Sequence, residues 1–243
     1  MITLDKNDVY WCARRLPRPL AEFLKDHPRA IVGGGFIRAC IAQEHAADVD
    51  VFAPDAEAAK AWAQLLFAKN PKAFRGVHET DNAFTVIGGT LPIQFIHRWS
   101  FPSAEALLES FDFTIACAAV WWNSTARYWM SLADDRFYMD LAAKRLIYRS
   151  PKRNEDAGGS MLRVLKFYQR GYRIPLDSLG AVTARLAMAV KWDEVHQATE
   201  DQMPTEERVA MVLTGLLREV DPLIDIDHVS HLPSQRDEPE PTT

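Results

Sequence analysis

Apolar and polar positions change period several times along this chain. Positions 8–27 carry apolar residues at helical spacing up to Pro28, which predicts one helix there. Ile31–Val32 predicts a first strand, Gly35–Gln43 a short helix and Asp48–Phe52 a second strand. Asp55 is placed to cap a helix running through Ala68. Strands follow near Phe74–His78, Ala83–Gly88 and Leu91–His97, the last two joined at Gly88-Gly89-Thr90 as a hairpin. Ser103 is a plausible cap for another helix. From Phe113 onward the pattern predicts mostly helix, with helix-period apolar positions over Ser160–Arg170, Asp177–Val195 and Thr205–Val220. The closing LPSQRDEPEPTT is proline-rich and acidic and predicts disorder.

The stretch Ile31–Phe52, IVGGGFIRACIAQEHAADVDVF, constrains function most. Successive strand side chains point to opposite faces, so Asp48 and Asp50 share a face about 7 Å apart along the strand. Val49 and Val51 take the other face. Two like charges side by side in an apolar strand are costly unless something positive sits between them. A divalent cation such as Mg²⁺, which takes one or two carboxylates plus phosphate oxygens, meets that need. Gly33-Gly34-Gly35, between a strand and a helix, lets backbone N–H groups approach a phosphate. Each half alone also reads as a tight turn or as a strand end with solvated carboxylates. Together they are the equipment for phosphoryl or nucleotidyl transfer. No Walker lysine follows the glycines, and the third glycine of a dinucleotide fingerprint would fall at Arg38.

Gly34-Gly35-Phe36-Ile37-Arg38-Ala39 followed by Asp48-Val49-Asp50 resembles the signature of the DNA polymerase β-like nucleotidyltransferase superfamily. That signature is Gly-Gly-x-x-Arg-Asp, then Asp-x-Asp, and Ala39 departs from it. The chain is most similar to the head and neck of tRNA CCA-adding enzymes and poly(A) polymerases. Phe111-Asp112-Phe113-Thr114-Ile115-Ala116-Cys117-Ala118 resembles their Arg-Asp-Phe-Thr-Ile-Asn-Ala segment, with Phe111 and Ala116 replacing arginine and asparagine. Asp140-Leu141, Glu155-Asp156 and the run Met161–Tyr172 follow in the family's order, with Gly158-Gly159-Ser160 in place of a proline and an arginine. The resemblance covers about residues 30–175 and marks a divergent member.

The resemblance implies an α/β (α+β) fold: a short mixed, twisted sheet with helices, followed by an α-helical neck. The expected division is a nucleotidyltransferase head over 1–125, a helical neck-like domain over 126–232 and a disordered tail over 233–243. It implies a metal-dependent enzyme in which Asp48 and Asp50 bind Mg²⁺ or Mn²⁺ and Gly34, Gly35 and Arg38 hold the triphosphate of an NTP. Arg163 helps to neutralise that charge, with Lys166 and Arg170 at i+3 and i+7 on the same helix face. The family places a third carboxylate on a later strand of the sheet. Here that position is Gln94, in Leu91-Pro92-Ile93-Gln94-Phe95-Ile96-His97. Asp112 can stand in as a catalytic acid; it reads equally as the N-cap of a buried helix over Phe113–Val120.

Residues 144–173 hold nine Lys/Arg against two acids, although the whole chain carries a net charge of −5. The net charge argues against a general nucleic-acid binder, whereas the local surplus suits phosphate, or a solvated helix face. Trp121-Trp122 with Tyr128-Trp129 reads as core or an interdomain seam ahead of a base-stacking platform. Residue types other than these change little. No apolar run approaches the roughly twenty residues of a membrane span, no secretory signal is visible, and three unclustered cysteines suggest a reducing, cytoplasmic setting without zinc. The expected acceptor is an RNA 3′ end, ahead of a protein side chain or a small molecule. Templated CCA addition to tRNA is disfavoured by the short span after Tyr172 and the disrupted Glu-Asp-x-x-Arg pattern. A catalytically degenerate module that binds a nucleotide or a partner is the alternative, suggested by Ala39, Gln94 and Phe111.

Overall fold

In the computed structural model, residues 1–80, 82–151, 157–192 and 205–218 are described. They fall into two compact units, residues 1–143 and residues 144 onward.

The first unit is a seven-stranded mixed sheet with helices, as the sequence implied. It opens with α1 (Lys6–Arg15) and α2 (Arg18–Asp26). The single helix expected over 8–27 is therefore two. Pro17 caps α2 and Pro19 sits in its first turn, where a missing N–H costs nothing but the preceding helix cannot continue. Next come β1 (Ile31–Gly33), α3 (Gly35–Ile41), β2 (Val49–Phe52) and α4 (Ala56–Lys69). Asp55 caps α4 as expected, its Oδ1 accepting from Ala58 N at 2.7 Å. Strands β3 (Gly76–Glu79), β4 (Ala83–Ile87) and β5 (Ile93–Ile96) follow, then α5 (Ala104–Glu109), capped by Ser103.

Beyond Phe113 the expectation of helix fails. Thr114–Ala116 makes one 3₁₀ turn, and the chain then forms β6 (Ala118–Asn123) and β7 (Tyr128–Ala133) before α6 (Phe137–Ala142). A short apolar run reads as buried helix or buried strand with equal ease. The cross-strand pair Trp122–Trp129, with ring centroids 5.4 Å apart, belongs to this hairpin. These two strands carry the sheet-bearing unit past position 125 to Ala143.

The strand order is β3-β4-β5-β2-β1-β6-β7, and only β2 and β5 run parallel. One face carries Val49, Val51, Ile93 and Phe95, and Phe23 of α2 packs its ring 5.8 Å from Phe95 and 6.1 Å from Trp62 of α4. Burying one such phenylalanine stabilises the fold by about 1.5–3 kcal/mol. The opposite face holds a second apolar cluster of Phe52, Ala83, Ile96, Leu107, Leu108 and Ala119. That face is interrupted by one polar row.

The second unit contains α7 (Ala157–Gln169), α8 (Leu176–Met188) and α9 (Thr205–Arg218). Gly158 permits the close approach of α7 to α9: a Cβ there would fall 2.4 Å from the Leu216 carbonyl oxygen. Arg145 and Arg173 form a single parallel bridge, and Tyr172 is fully buried with its ring 5.2 Å from Phe167. Glu155, Asp156, the helix end at 193–195 and the tail over 233–243 lie outside the described residues.

Candidate active site

Residues directly opposite one another on adjacent strands share a face of the sheet. The observed register therefore defines a row across five strands: His78, Thr85, Gln94, Asp50 and Gly33. Asp48, two residues before Asp50, lies on the same face. Both aspartates are half-buried. The sequence expectation that they share a face, with Val49 and Val51 turned into the core, agrees with this register and with the burial of both valines.

Gly33 and Gly34 make room for the pair. Gly34 has φ 74° and ψ −133°, a conformation essentially confined to glycine. A Cβ on Gly34 would meet the Phe111 ring at 3.5 Å and Asp50 Oδ2 at 3.9 Å. Phe111, which stands where the resemblance has arginine, thus walls the glycine turn with an apolar ring. Gly34 donates its N–H to the Ala118 carbonyl at 3.0 Å. Of the two candidate glycines it is Gly35, first residue of α3, whose N–H has no acceptor within its own helix.

Gln94 occupies the position beside Asp50, and its amide donates to Asp48 Oδ2 at 3.4 Å, a long hydrogen bond. Thr85, next in the row, is 1% exposed, and its hydroxyl has no hydrogen-bond partner among the described residues. A buried polar group in that state costs about 1–3 kcal/mol.

Arg38 lies in the last turn of α3 with only 2% of its surface exposed. Its guanidinium is ion-paired with Glu44. Sequence reasoning missed Glu44. The chain reverses after α3 through Gln43 at φ 55°, and Glu44 N bonds back to the Ala39 carbonyl at 2.9 Å.

Asp112 does not cap a long helix. Phe113, not Asp112, is the cap residue of the 3₁₀ turn, and Asp112 is 5% exposed. Among the described residues no three His, Cys, Asp or Glu side chains gather into a group that could hold a metal. The segment it begins is anchored from the far side: Thr114 Oγ1 donates to the fully buried Asp140 at 2.7 Å, and Arg136 grips the same carboxylate through bonds of 3.1 and 3.0 Å. That hydrogen bonding holds the Arg136 guanidinium above its ordinary pKa.

Two neighbouring groups are also shifted. Burial, then a hydrogen bond to Asp8, pushes the Tyr138 hydroxyl well above the usual tyrosine range. A hydrogen bond with Cys40, then burial, pushes the Cys12 thiol up, where α1 packs on α3. Cys40 is a fully buried small residue, as the sequence suggested. Arg163 and Lys166 lie on α7 of the second unit, and Arg170 just follows it with its guanidinium 5.8 Å from the Phe167 ring centroid.

Solved structures share this architecture. A Thermotoga maritima CCA-adding enzyme complexed with tRNA aligns with 91% of this chain and 57% of its own, at 17% identity and a TM-score of 0.56. A CCA-adding enzyme in complex with CTP aligns with 97% of this chain and 58% of its own, at 16% identity and a TM-score of 0.56. A tRNA nucleotidyltransferase complexed with a primer tRNA and an incoming ATP analog aligns with 81% and 62%, at 17% identity and a TM-score of 0.52. The chain thus spans less than two thirds of the length of these structures. Identities this low establish a shared nucleotidyltransferase fold. No curated protein matches by sequence. The family described as Gad2: Gabija anti-defense 2 family protein matches residues 4–144. With more than half of its length matched, the chain belongs to the Gabija anti-defense 2 family.

Proposed function

We propose that the chain is a metal-dependent nucleotidyltransferase that moves a nucleotide from an NTP to an acceptor. One observation carries this reading: the register that sets Asp50 opposite Gly33, with Asp48 on the same face and the Gly34 turn alongside. Two half-buried carboxylates on one strand face are a hard oxygen donor set and fit Mg²⁺ or Mn²⁺. Asp48 and Asp50 would hold the ion. When bound, it supplies neutralising charge for phosphate oxygens. The glycine turn leaves backbone open to the triphosphate, and Phe111 excludes water from one side of it. Arg38 is proposed to help hold the triphosphate, with one of its guanidinium nitrogens already engaged by Glu44. Arg163, Lys166 and Arg170 are proposed to bind phosphate, of the nucleotide or of an RNA backbone. Asp112 is proposed as the catalytic acid that stands in for the third carboxylate.

An RNA 3′ end is the favoured acceptor, ahead of a protein side chain or a small molecule. The basic stretch 144–173 supports it, and binding through such contacts weakens with salt. Modifying an acceptor suits the anti-defence description of the family. No helix among the described residues is long and apolar enough to cross a membrane, and the proposed setting is the cytoplasm.

The test is incubation with labelled NTPs, Mg²⁺ or Mn²⁺, and RNA and protein acceptors. Transfer that disappears in Asp48→Asn with Asp50→Asn supports the reading; transfer that survives overturns it. Gln94 and the Arg38–Glu44 pair favour a second reading, a module that binds nucleotide without turnover. Calorimetry showing metal-dependent NTP binding, without transfer to any acceptor, selects that one.

A further inference from the structure

The parallel pairing of β5 with β2 sets Gln94 directly beside Asp50, and its side chain also reaches Asp48. An amide next to a carboxylate must present its N–H, because its carbonyl oxygen would face like partial charge. Gln94 therefore stands next to one aspartate and donates to the other. The strands on either side bring no further acid. Gly33 flanks Asp50 on β1, and Thr85 flanks Gln94 on β4. Among the described residues no third His, Cys, Asp or Glu joins the pair.

This donor set has a consequence for ion count. A second divalent cation about 3.5–4 Å from the first would bring two more positive charges into the same lining, which needs further anionic oxygens to offset their repulsion. Asp48 and Asp50 provide two negative charges, and one oxygen of Asp48 already accepts from Gln94. That is enough for one cation. The buried Thr85 hydroxyl extends the same neutral lining beyond Gln94.

We infer that Gln94 is a positioning residue that fixes the Asp48 carboxylate and restricts the site to a single resident divalent cation. The inference rests on the reading of Asp48 and Asp50 as cation ligands. It goes beyond that reading by assigning Gln94 a role and the site a stoichiometry. A neutral amide here is a choice of ion number and not simply a lost acid.

The experiment is a Mn²⁺ titration of the full chain without nucleotide, with free Mn²⁺ followed by electron paramagnetic resonance. Wild type is expected to bind one Mn²⁺ per chain at this site, and Asp50→Asn to lose it. Gln94→Ala keeps one equivalent but binds about tenfold more weakly, the usual scale for removing a partner that orients a metal ligand. Gln94→Glu, of nearly identical shape, gains a second equivalent with spin coupling between the two ions. Circular dichroism melts establish that each variant is folded. Two equivalents in wild type, none in wild type, or unchanged affinity in Gln94→Ala overturns the inference. If Gln94→Glu does not fold, wild type and Gln94→Ala still decide. One Mn²⁺ with no nucleotide transfer leaves the inference standing and removes the transferase reading. Two Mn²⁺ with transfer does the reverse.

Discussion

Arg38 and Glu44 form an ion pair across the reversal that follows α3, with the arginine side chain 3% exposed and the glutamate 21%. The pair ties the helix behind the glycine turn to the chain leading into Asp48. Removing one member takes this ion pair from a buried charge, which costs more than the intact pair contributes.

Glu44→Ala is therefore expected to lower the unfolding free energy by about 3 kcal/mol. Arg38→Met combined with Glu44→Leu should cost less than Glu44→Ala alone. Urea denaturation of the three proteins checks both statements. A loss below about 1 kcal/mol for Glu44→Ala, the range of a surface ion pair, contradicts them.

The two glycines at the turn should respond oppositely to alanine. Gly34→Ala forces a side chain into a positive-φ conformation and costs about 1–3 kcal/mol. Gly35 starts the helix, and a Cβ there meets nothing within 4 Å. Gly35→Ala should stabilise by about 0.4–1 kcal/mol through the unfolded chain; it keeps the backbone N–H, and its added methyl weakens NTP binding by crowding a triphosphate seated on the turn. Thermal melts and nucleotide titration on the same two variants separate the stability effect from the binding effect.

Tyr138 gives the expected pH dependence. Its hydroxyl donates to Asp8 Oδ2 at 2.6 Å and accepts from Asp5 N at 2.9 Å. The folded protein favours the protonated hydroxyl, so its folded pKa lies above the unfolded value of about 10. The stabilisation is complete below pH about 10 and is lost as pH rises towards the folded value. Melts of wild type and Tyr138→Phe from pH 8 upward should differ most at the low end and converge above pH about 10. A gap that widens with pH would refute the assignment.

The site was legible in sequence where local rules suffice. Asp48 and Asp50 alternate with valines, and period two alone puts them on one face. The cap residues Asp55 and Ser103 were legible for the same reason, since a cap bonds two or three residues away. The β6–β7 hairpin was not, because Phe113–Val120 is apolar without alternation and its burial on both faces erases the period. The break between α1 and α2 was hidden by an apolar spacing that continues across Pro17. The Arg38–Glu44 pair depends on a backbone reversal at Gln43, and Gln43 is not a residue type that announces positive φ.

The parallel pairing of β2 with β5 also bears on how the chain is made. Asp50 and Gln94 are register partners, but α4, β3 and β4 lie between them in sequence. A nascent chain that has emerged only through β4 carries both aspartates and the whole glycine turn, yet lacks the strand that sits between β2 and β4. Non-local strand pairing of this kind is slow to form. The aspartates are thus translated well before their amide partner, and competence to hold a cation arises only once β5 has inserted between strands made earlier.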